Sequence, residues 1–104
     1  MRTVENHNTA PRINPGNAEM LFKSGLALIE TGDLDRAIAN FDEALRINPG
    51  FVEALYARGN AWGNKRRFDR AIEDYDAVLR LNPDAWQAIN SLTDAVMEEM
   101  SLSA

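Results

Sequence analysis

A repeat of 34 residues is the sequence feature that most constrains how this chain folds. Three of its four prolines are spaced by that period, at positions 15, 49 and 83, and each ends the motif Arg-(Ile or Leu)-Asn-Pro. When residues 18–51 are aligned with residues 52–85, 13 of the 34 positions are identical. A fixed period of this length is typical of an array of stacked structural units, in which each unit packs against its neighbours.

Within each repeat, the apolar residues have the spacing of α-helices. Leu21, Gly25 and Leu28 recur at i, i+4 and i+7, which places them on one side of a helix. No segment alternates between apolar and polar residues with a period of two, so strands are not expected. A helix is expected to end before a proline because the preceding residue disfavours the helical conformation. The sequence therefore predicts one helical hairpin at about 18–49 and a second at 52–83.

The segments on either side of the two repeats differ in character. From position 84 to about 101 the helical pattern continues, which predicts a closing helix with Asp84 as its N-cap. The apolar residues that continue the packing pattern in this helix are Trp86, Ile89, Leu92, Val96 and Met100. Residues 1–16 are largely polar and contain two prolines, and we expect them to form a flexible tail ahead of a domain at 17–101.

The composition excludes several kinds of chemical site. The chain of 104 residues has no cysteine, which excludes disulfides, thiol nucleophiles and cysteine-ligated zinc. Its single histidine, His7, lies in the predicted tail. The neighbouring acidic residues are interpreted as solvated helix faces rather than as metal or acid–base sites. They are Asp33 with Asp35, Asp69 with Glu73, Asp74 with Asp76, and Glu98 with Glu99. We therefore predict no catalytic residue, no metal site and no cofactor.

The charge balance and the lack of long apolar runs bear on nucleic acids and membranes. The net charge of −5 disfavours binding to nucleic acid or to an anionic membrane. One basic cluster lies around the turn between the helices of the second repeat, from Arg58 to Arg70, and is interpreted as solvated surface. Because the sequence has neither a run of 18 apolar residues nor a secretory signal, we do not expect membrane insertion. We expect a cytoplasmic location instead.

Several paired positions, together with the 34-residue period, resemble the tetratricopeptide repeat. These are the small residues Gly25 and Gly59, the alanines Ala37 and Ala71, the aromatics Phe41 and Tyr75, and the closing prolines Pro49 and Pro83. The resemblance implies an all-α fold, a helical-hairpin array or short α-solenoid of five helices. The chain departs from the family pattern at Leu21 and Leu55, which replace a tryptophan. It departs again at Arg66, which replaces a turn glycine and leaves the geometry of that turn open.

The resemblance also implies a function, because the first helices of such hairpins line a concave surface on which a peptide lies. We therefore predict a non-catalytic protein–protein interaction module that binds a protein or peptide partner in this groove. The residues predicted to line it are Glu19, Phe22, Lys23, Leu26, Ile29, Glu53, Tyr56, Asn60 and Asn90. The groove is expected to be apolar at its N-terminal end, at Phe22, Leu26 and Ile29, and polar at its far end.

One class of ligand is not expected in the predicted groove. Family members that hold the C-terminal carboxylate of chaperone tails do so with lysine, asparagine and arginine on their first helices. The matching positions here hold Phe22, Leu26, Ala57, Gln87 and Ser91, none of which is cationic. A carboxylate bound at these positions would lack charge-assisted hydrogen bonds.

Two alternative functions follow from other parts of the sequence. A self-associating scaffold would form a homodimer through the closing helix, because no covering helix is expected over Ile89, Val96 and Met100. Two copies related by a two-fold axis would then cover each other's apolar residues. A helical repeat that binds nucleic acid through the basic cluster at 58–70 is the third and least favoured alternative.

Overall fold

Five α-helices joined by short turns make up the described part of the chain. The computed structural model describes residues 15–103, so most of the predicted tail, including His7, lies outside the described residues. The helices are α1 Pro15–Glu30, α2 Leu34–Ile47, α3 Val52–Asn64, α4 Phe68–Leu81 and α5 Trp86–Ser103. Between residues 15 and 103 there is no strand. The predicted all-α array of two hairpins and a closing helix is confirmed.

The first hairpin begins earlier than its sequence pattern predicts. Helix α1 starts at Pro15 rather than near residue 18, because the fixed φ angle of proline suits the first position of a helix. Helix α2 starts after Asp33, whose carboxylate accepts a hydrogen bond from the backbone N–H of Arg36 at 3.4 Å. That side chain is therefore the N-cap of α2 and supplies one of the acceptors that the helix end lacks.

The closing helix begins two residues later than predicted, and Asp84 is not its N-cap. The Ala85 carbonyl accepts a hydrogen bond from the backbone N–H of Ala88 at 2.9 Å, which places Ala85 at the N-cap position. The backbone N–H of Asp84 instead donates to the Asn82 side chain at 3.3 Å. The Asp84 carboxylate is thereby left outside the helix.

The two turns inside the hairpins have the same backbone geometry, although one contains glycine and the other arginine. Gly32 has a φ of +84° and Arg66 a φ of +63°. In the first turn the N–H of Asp33 donates to the Leu28 carbonyl at 2.9 Å. Thirty-four residues later, the N–H of residue 67 donates to the carbonyl of residue 62 at the same distance. Arg66 therefore adopts the left-handed conformation that glycine adopts at lower energetic cost.

Each hairpin closes where a glycine of its first helix meets an aromatic ring of its second. Gly25 and Phe41 are both buried in the first hairpin, and Gly59 and Tyr75 in the second. A methyl group on Gly25 would overlap the ring of Phe41. A methyl group on Gly59 would lie 2.7 Å from Cε1 of Tyr75. The absence of a side chain lets the two helices of each pair approach closely.

The array is held together by contacts between successive helices. Each of α1 to α4 packs against the helix that follows it, and α1 also contacts α3. One buried cluster spans four helices and consists of Leu45, Ala54, Leu55, Val78 and Ala88. Two smaller clusters join α2 to α3 around Phe41 and α4 to α5 around Tyr75. This arrangement places α1, α3 and α5 along one face of the molecule.

Helix α5 packs on α4 through small residues and Leu92, whereas the other large apolar residues of its pattern face outward. Ala88 and Ala95 are buried, and Leu92 is partly buried beside them. The other four predicted packing residues, Trp86, Ile89, Val96 and Met100, are between 36% and 66% exposed. Ile89, Val96 and Met100 are therefore exposed, as expected for a closing helix without a covering partner.

Arg58 connects α2, α3 and α4 through two carboxylates. Its guanidinium donates two hydrogen bonds to Asp74, at 2.9 and 2.7 Å, and a third to Asp42 at 2.8 Å. These bonds, foremost those to Asp74, raise the pKa of the Arg58 guanidinium above its ordinary value. Asp74 is buried, so its interpretation as part of a solvated helix face is wrong. Its charge is tolerated there because Arg58 pairs with both carboxylate oxygens.

Candidate functional site

A groove runs along the face formed by α1, α3 and α5, and it contains two adjoining cavities. The first, which we call the aromatic cavity, has a volume of about 620 Å³ and is lined by the rings of Phe22, Tyr56 and Trp86. The second, the Tyr75 cavity, has a volume of about 580 Å³ and lies over that ring. Leu26, Ala57 and Asn60 line both cavities, which makes them one continuous groove.

Tyrosine hydroxyls form the polar part of the groove floor. The Tyr75 hydroxyl donates a hydrogen bond to the Asn60 side-chain oxygen at 2.5 Å. The hydroxyls of Tyr56 and Ser91 lie 3.2 Å apart, which links α3 to α5. Burial, with a smaller contribution from neighbouring Tyr56, raises the pKa of Tyr75 to about 12. The Tyr75 hydroxyl is therefore protonated at neutral pH and acts as a donor.

Aromatic packing fixes the floor of the aromatic cavity. The ring of Phe22 lies 5.0 Å from that of Phe51 and 6.1 Å from that of Phe41, measured between centroids. The rings of Tyr56 and Tyr75 are 5.7 Å apart. Tilted rings at these separations attract each other. Trp86 is different because it is 63% exposed, at the edge of the cavity.

The charged side chains that line the groove are all acidic. Glu53 and Asp84 line the aromatic cavity, and Asp94 and Glu98 line the Tyr75 cavity. Among the described residues, no lysine or arginine lines either cavity. Within residues 15–103, the one cationic group within 4.0 Å of these four carboxylates is the Arg66 guanidinium, 3.9 Å from Glu98. The groove thus combines an apolar floor with a negative potential.

Six of the nine residues predicted to line the groove do so in the structure. They are Phe22, Leu26, Ile29, Glu53, Tyr56 and Asn60. Glu19, Lys23 and Asn90 line neither cavity. The reason is the position of each helix in the array. Helix α3 is central and lines the groove with both its sides, whereas α1 and α5 each contribute only the side that faces α3.

Several residues that line the groove were missing from the predicted set. From α5 and the turn before it they are Asp84, Trp86, Gln87, Ser91, Asp94 and Glu98, and from α3 they include Val52, Ala57 and Gly63. The repeat contains the signal for part of this set. Adding 34 to Glu53, Ala57 and Asn60 gives residues 87, 91 and 94, all of which line the groove. The same addition to Tyr56 gives Asn90, which is exposed and lines neither cavity.

The basic cluster at 58–70 is largely engaged in contacts within the chain. Arg58 is held by the buried ion pair described above, and the Lys65 ammonium lies 2.6 Å from Asp35. The guanidinium groups of Arg67 and Arg70 lie 5.8 and 5.2 Å from the centre of the Trp62 ring. These distances are typical of cation–π contacts. The arginines thus cover an apolar side chain of their own chain.

The described part of the structure contains neither a cluster of metal-ligating side chains nor a membrane-spanning helix. Within residues 15–103, no three acidic or histidine side chains are placed to hold a metal ion together. None of the helices in that range is long and apolar enough to cross a bilayer.

The sequence matches one known protein family along most of its length. Residues 2–51, 22–85 and 56–98 each match the family model described as the tetratricopeptide repeat. This chain belongs to the tetratricopeptide repeat family. The helical hairpins, their 34-residue period and the turn geometry described above are those of a tetratricopeptide array. No curated protein sequence matches the chain significantly.

Solved structures of tetratricopeptide domains have the same fold. The first tetratricopeptide domain of Spaghetti (RPAP3), bound to the HSP90 peptide SRMEEVD, is 23% identical with a TM-score of 0.76, over 88% of this chain and 68% of that one. The second such domain of human RPAP3, in complex with the HSP70 peptide SGPTIEEVD, is 23% identical with a TM-score of 0.72, over 76% of this chain and 66% of that one. YrrB, a protein with an unusual peptide-binding site, is 22% identical with a TM-score of 0.76, over 89% of this chain and 48% of that one. The chain thus spans about half to two thirds of the length of these structures, and at such identities the likeness shows the fold alone.

Proposed function

We propose that this chain is a non-catalytic protein-interaction module that binds a peptide segment of a partner protein in the groove between α1, α3 and α5. The observation that carries the proposal is the continuity of the groove, in which the aromatic cavity and the Tyr75 cavity share Leu26, Ala57 and Asn60. Leu26 is 40% exposed at this junction. An exposed apolar residue in a concave surface is a favourable anchor point for a ligand side chain.

The comparisons support an interaction role in general terms. Two of the similar structures are complexes with short peptides, and the third is described as having a peptide-binding site. We extend that role to this chain as a proposal, with a cytoplasmic partner. In the proposed complex, apolar side chains of the ligand contact Phe22, Leu26, Ile29 and Tyr56, and Asn60 bonds to the ligand backbone. Each well-buried anchor contributes about 1–3 kcal/mol to binding.

The proposal is tested by selection from a library of random peptides of about ten residues, which span roughly 33–36 Å when extended. The wild-type chain is compared with Leu26→Glu, which places a charge at the junction of the two cavities. Met20→Glu is the matched control, because Met20 is on the same helix, is 68% exposed and lines neither cavity. Circular dichroism and thermal unfolding establish that both variants fold.

We expect the wild-type chain and Met20→Glu to enrich the same peptides and to bind them with affinities within about twofold, since surface changes away from a site have small effects. Leu26→Glu is expected to lose at least about tenfold in affinity, which corresponds to 1.4 kcal/mol. Equal binding by a folded Leu26→Glu variant, or no enrichment by the wild type, would show that the groove is not a peptide site.

A second candidate function, self-association through α5, is favoured by the exposure of its apolar residues. Ile89, Val96 and Met100 follow one side of the helix and are 43%, 36% and 66% exposed. Two copies related by a two-fold axis would bury these residues against each other. Light scattering over a range of concentrations tests this, with Val96→Glu compared against Met20→Glu. The expected result is a concentration-dependent rise in mass that Val96→Glu abolishes; a constant monomer mass for the wild type would refute it.

A further inference from the structure

The aromatic cavity has an unusual combination of lining groups. Three aromatic rings, from Phe22, Tyr56 and Trp86, share it with the carboxylates of Glu53 and Asp84. Among the described residues, neither carboxylate has a cationic group within 4.0 Å, and no lysine or arginine lines the cavity. Aromatic faces attract cations, and carboxylates pair with them. The lining is therefore complementary to a positive charge carried on an apolar stem.

The rings of the cavity differ in how they are held. Phe22 is fixed by its contacts with Phe41 and Phe51, and Tyr56 by the ring of Tyr75. The Trp86 ring, by contrast, is largely exposed at the edge of the cavity. A preformed floor and an exposed ring at the edge are suited to enclosing a long side chain between them. The cost of ordering the cavity on binding is then confined mainly to the bound side chain and Trp86.

We propose that the aromatic cavity receives a lysine or arginine side chain of the bound peptide. This inference rests on the function proposed above and specifies the chemistry of its ligand. The aliphatic stem of the side chain lies against Phe22 and Tyr56, with Trp86 over it, and the cationic group is paired by Glu53 and Asp84. Long basic side chains commonly bury their stems in this way while the charge keeps polar partners.

The second cavity extends the same preference along the peptide. Asp94 and Glu98 make the Tyr75 cavity negative as well, so acidic ligand residues are repelled at both ends of the groove. Complementary potentials of this kind act over roughly 8–10 Å at ordinary salt concentrations. The selected ligands are therefore expected to combine apolar anchors with a net positive charge.

The peptides enriched by the selection described above provide the first test, because their composition is a separate readout from their dependence on Leu26. We expect lysine and arginine to be enriched and aspartate and glutamate to be depleted relative to the unselected library. Leu26-dependent peptides that are neutral or acidic would overturn the inference while supporting the proposed function. No enrichment at all would overturn both.

The second test changes the cavity and uses a selected peptide with a fluorescent label. In the variant Glu53→Gln/Asp84→Asn, we expect the affinity for this peptide to fall about two- to twentyfold, because two ion pairs at a partly exposed site are lost. The matched control is Glu30→Gln/Glu73→Gln, which changes the net charge equally at exposed residues outside both cavities.

The peptide is changed as well. Replacing its basic residue by norleucine should weaken binding to the wild type but leave binding to the Glu53→Gln/Asp84→Asn variant little changed. Equal losses for both chains, or an equal loss in the control variant, would overturn the inference.

Discussion

Gly59 has no room for a side chain, because a β-carbon there would overlap the ring of Tyr75. A methyl group there would lie 2.7 Å from Cε1 of that ring and 3.2 Å from the β-carbon of Asp74. We expect Gly59→Ala to lower the free energy of unfolding by about 1–3 kcal/mol, since overpacking outweighs the better helix propensity of alanine. Chemical denaturation measures this change.

The matched control for that substitution is Gly63→Ala in the same helix. A methyl group on Gly63 would lie 3.9 Å from the Tyr75 hydroxyl, at an ordinary contact distance. We expect this variant to be neutral, or more stable by up to about 0.5 kcal/mol. If the two variants unfold at the same denaturant concentration, the close approach of the helices at Gly59 does not limit which side chain that position tolerates.

The ion pair between Arg58 and Asp74 leads to a second prediction for single residues. Arg58→Met leaves the Asp74 charge buried without its partner, so we expect a loss of about 3–5 kcal/mol in unfolding free energy. The double variant Arg58→Met/Asp74→Leu removes both charges and is expected to recover most of that loss. Urea denaturation of the single and double variants gives the coupling between the two positions. A double variant no more stable than Arg58→Met would contradict this account.

These two residue contacts differ in how far the sequence predicts them. The small residue Gly59 and the aromatic Tyr75 recur as Gly25 and Phe41, so the repeat itself indicates their pairing. The partners of Arg58 have no such signal, because Ser24 and Asn40 occupy the equivalent positions of the first repeat. A contact between residues 16 apart on two different helices depends on the crossing of the helices, which helical spacing along one helix does not specify.

At the scale of the secondary-structure elements, the turn between α3 and α4 contains a strained residue. Arg66 has a φ of +63°, where the equivalent Gly32 has +84°. A left-handed conformation costs a residue with a β-carbon about 1–2 kcal/mol, part of which is offset by the greater flexibility of glycine in the unfolded chain. We expect Arg66→Gly to raise the unfolding free energy by about 0.5–1 kcal/mol, as measured by thermal or urea denaturation.

The reciprocal change provides the control for this turn. Gly32→Ala should destabilise the first hairpin by about 1 kcal/mol, although a methyl group on Gly32 would contact nothing within 4 Å. The effect would then come from the backbone conformation alone. A stabilising Gly32→Ala, or a destabilising Arg66→Gly, would mean that the left-handed backbone carries no net cost in these turns.

The helices themselves follow from the sequence, whereas the packing of α5 follows only in part: the exposure of Ile89, Val96 and Met100 is expected, but the burial of Ala88 and Ala95 is not. Each internal helix is bounded by a proline motif or a turn that the repeat marks, so its limits lie close to those predicted. Helix α5 has the apolar pattern of a repeat helix, but within residues 15–103 only α4 packs extensively against it. Its buried residues are consequently Ala88 and Ala95, and the large residues of the pattern remain exposed. A periodic pattern indicates a helix without indicating which neighbours cover it.

At the scale of the whole molecule, the groove is a property of the array rather than of any one repeat. Its lining combines one side of α1, both sides of α3 and one side of α5. From α1 and α3 the sequence predicts the members that follow one helical stripe, but it also includes Glu19 and Lys23, which line neither cavity. It predicts Asn90 in place of Ser91 and omits Trp86, because the side of α5 that lines the groove depends on the position of that helix in the array.

The charge of the groove leads to a final prediction, which separates this chain from relatives of the same fold. Two of the similar structures are complexes with the acidic peptides SRMEEVD and SGPTIEEVD.

In this chain the five positions predicted to lack a cationic clamp, Phe22, Leu26, Ala57, Gln87 and Ser91, all line the groove. Such a peptide would meet no cationic side chain among the described lining residues, and its carboxylates would face those of the groove. We expect binding of either peptide to be weaker than about 1 mM, which corresponds to about −4.1 kcal/mol. Fluorescence anisotropy with labelled peptides measures this, and an amidated C-terminus gives the matched control. Micromolar binding that depends on the free carboxylate would show that the groove recognises acidic tails despite its own charge.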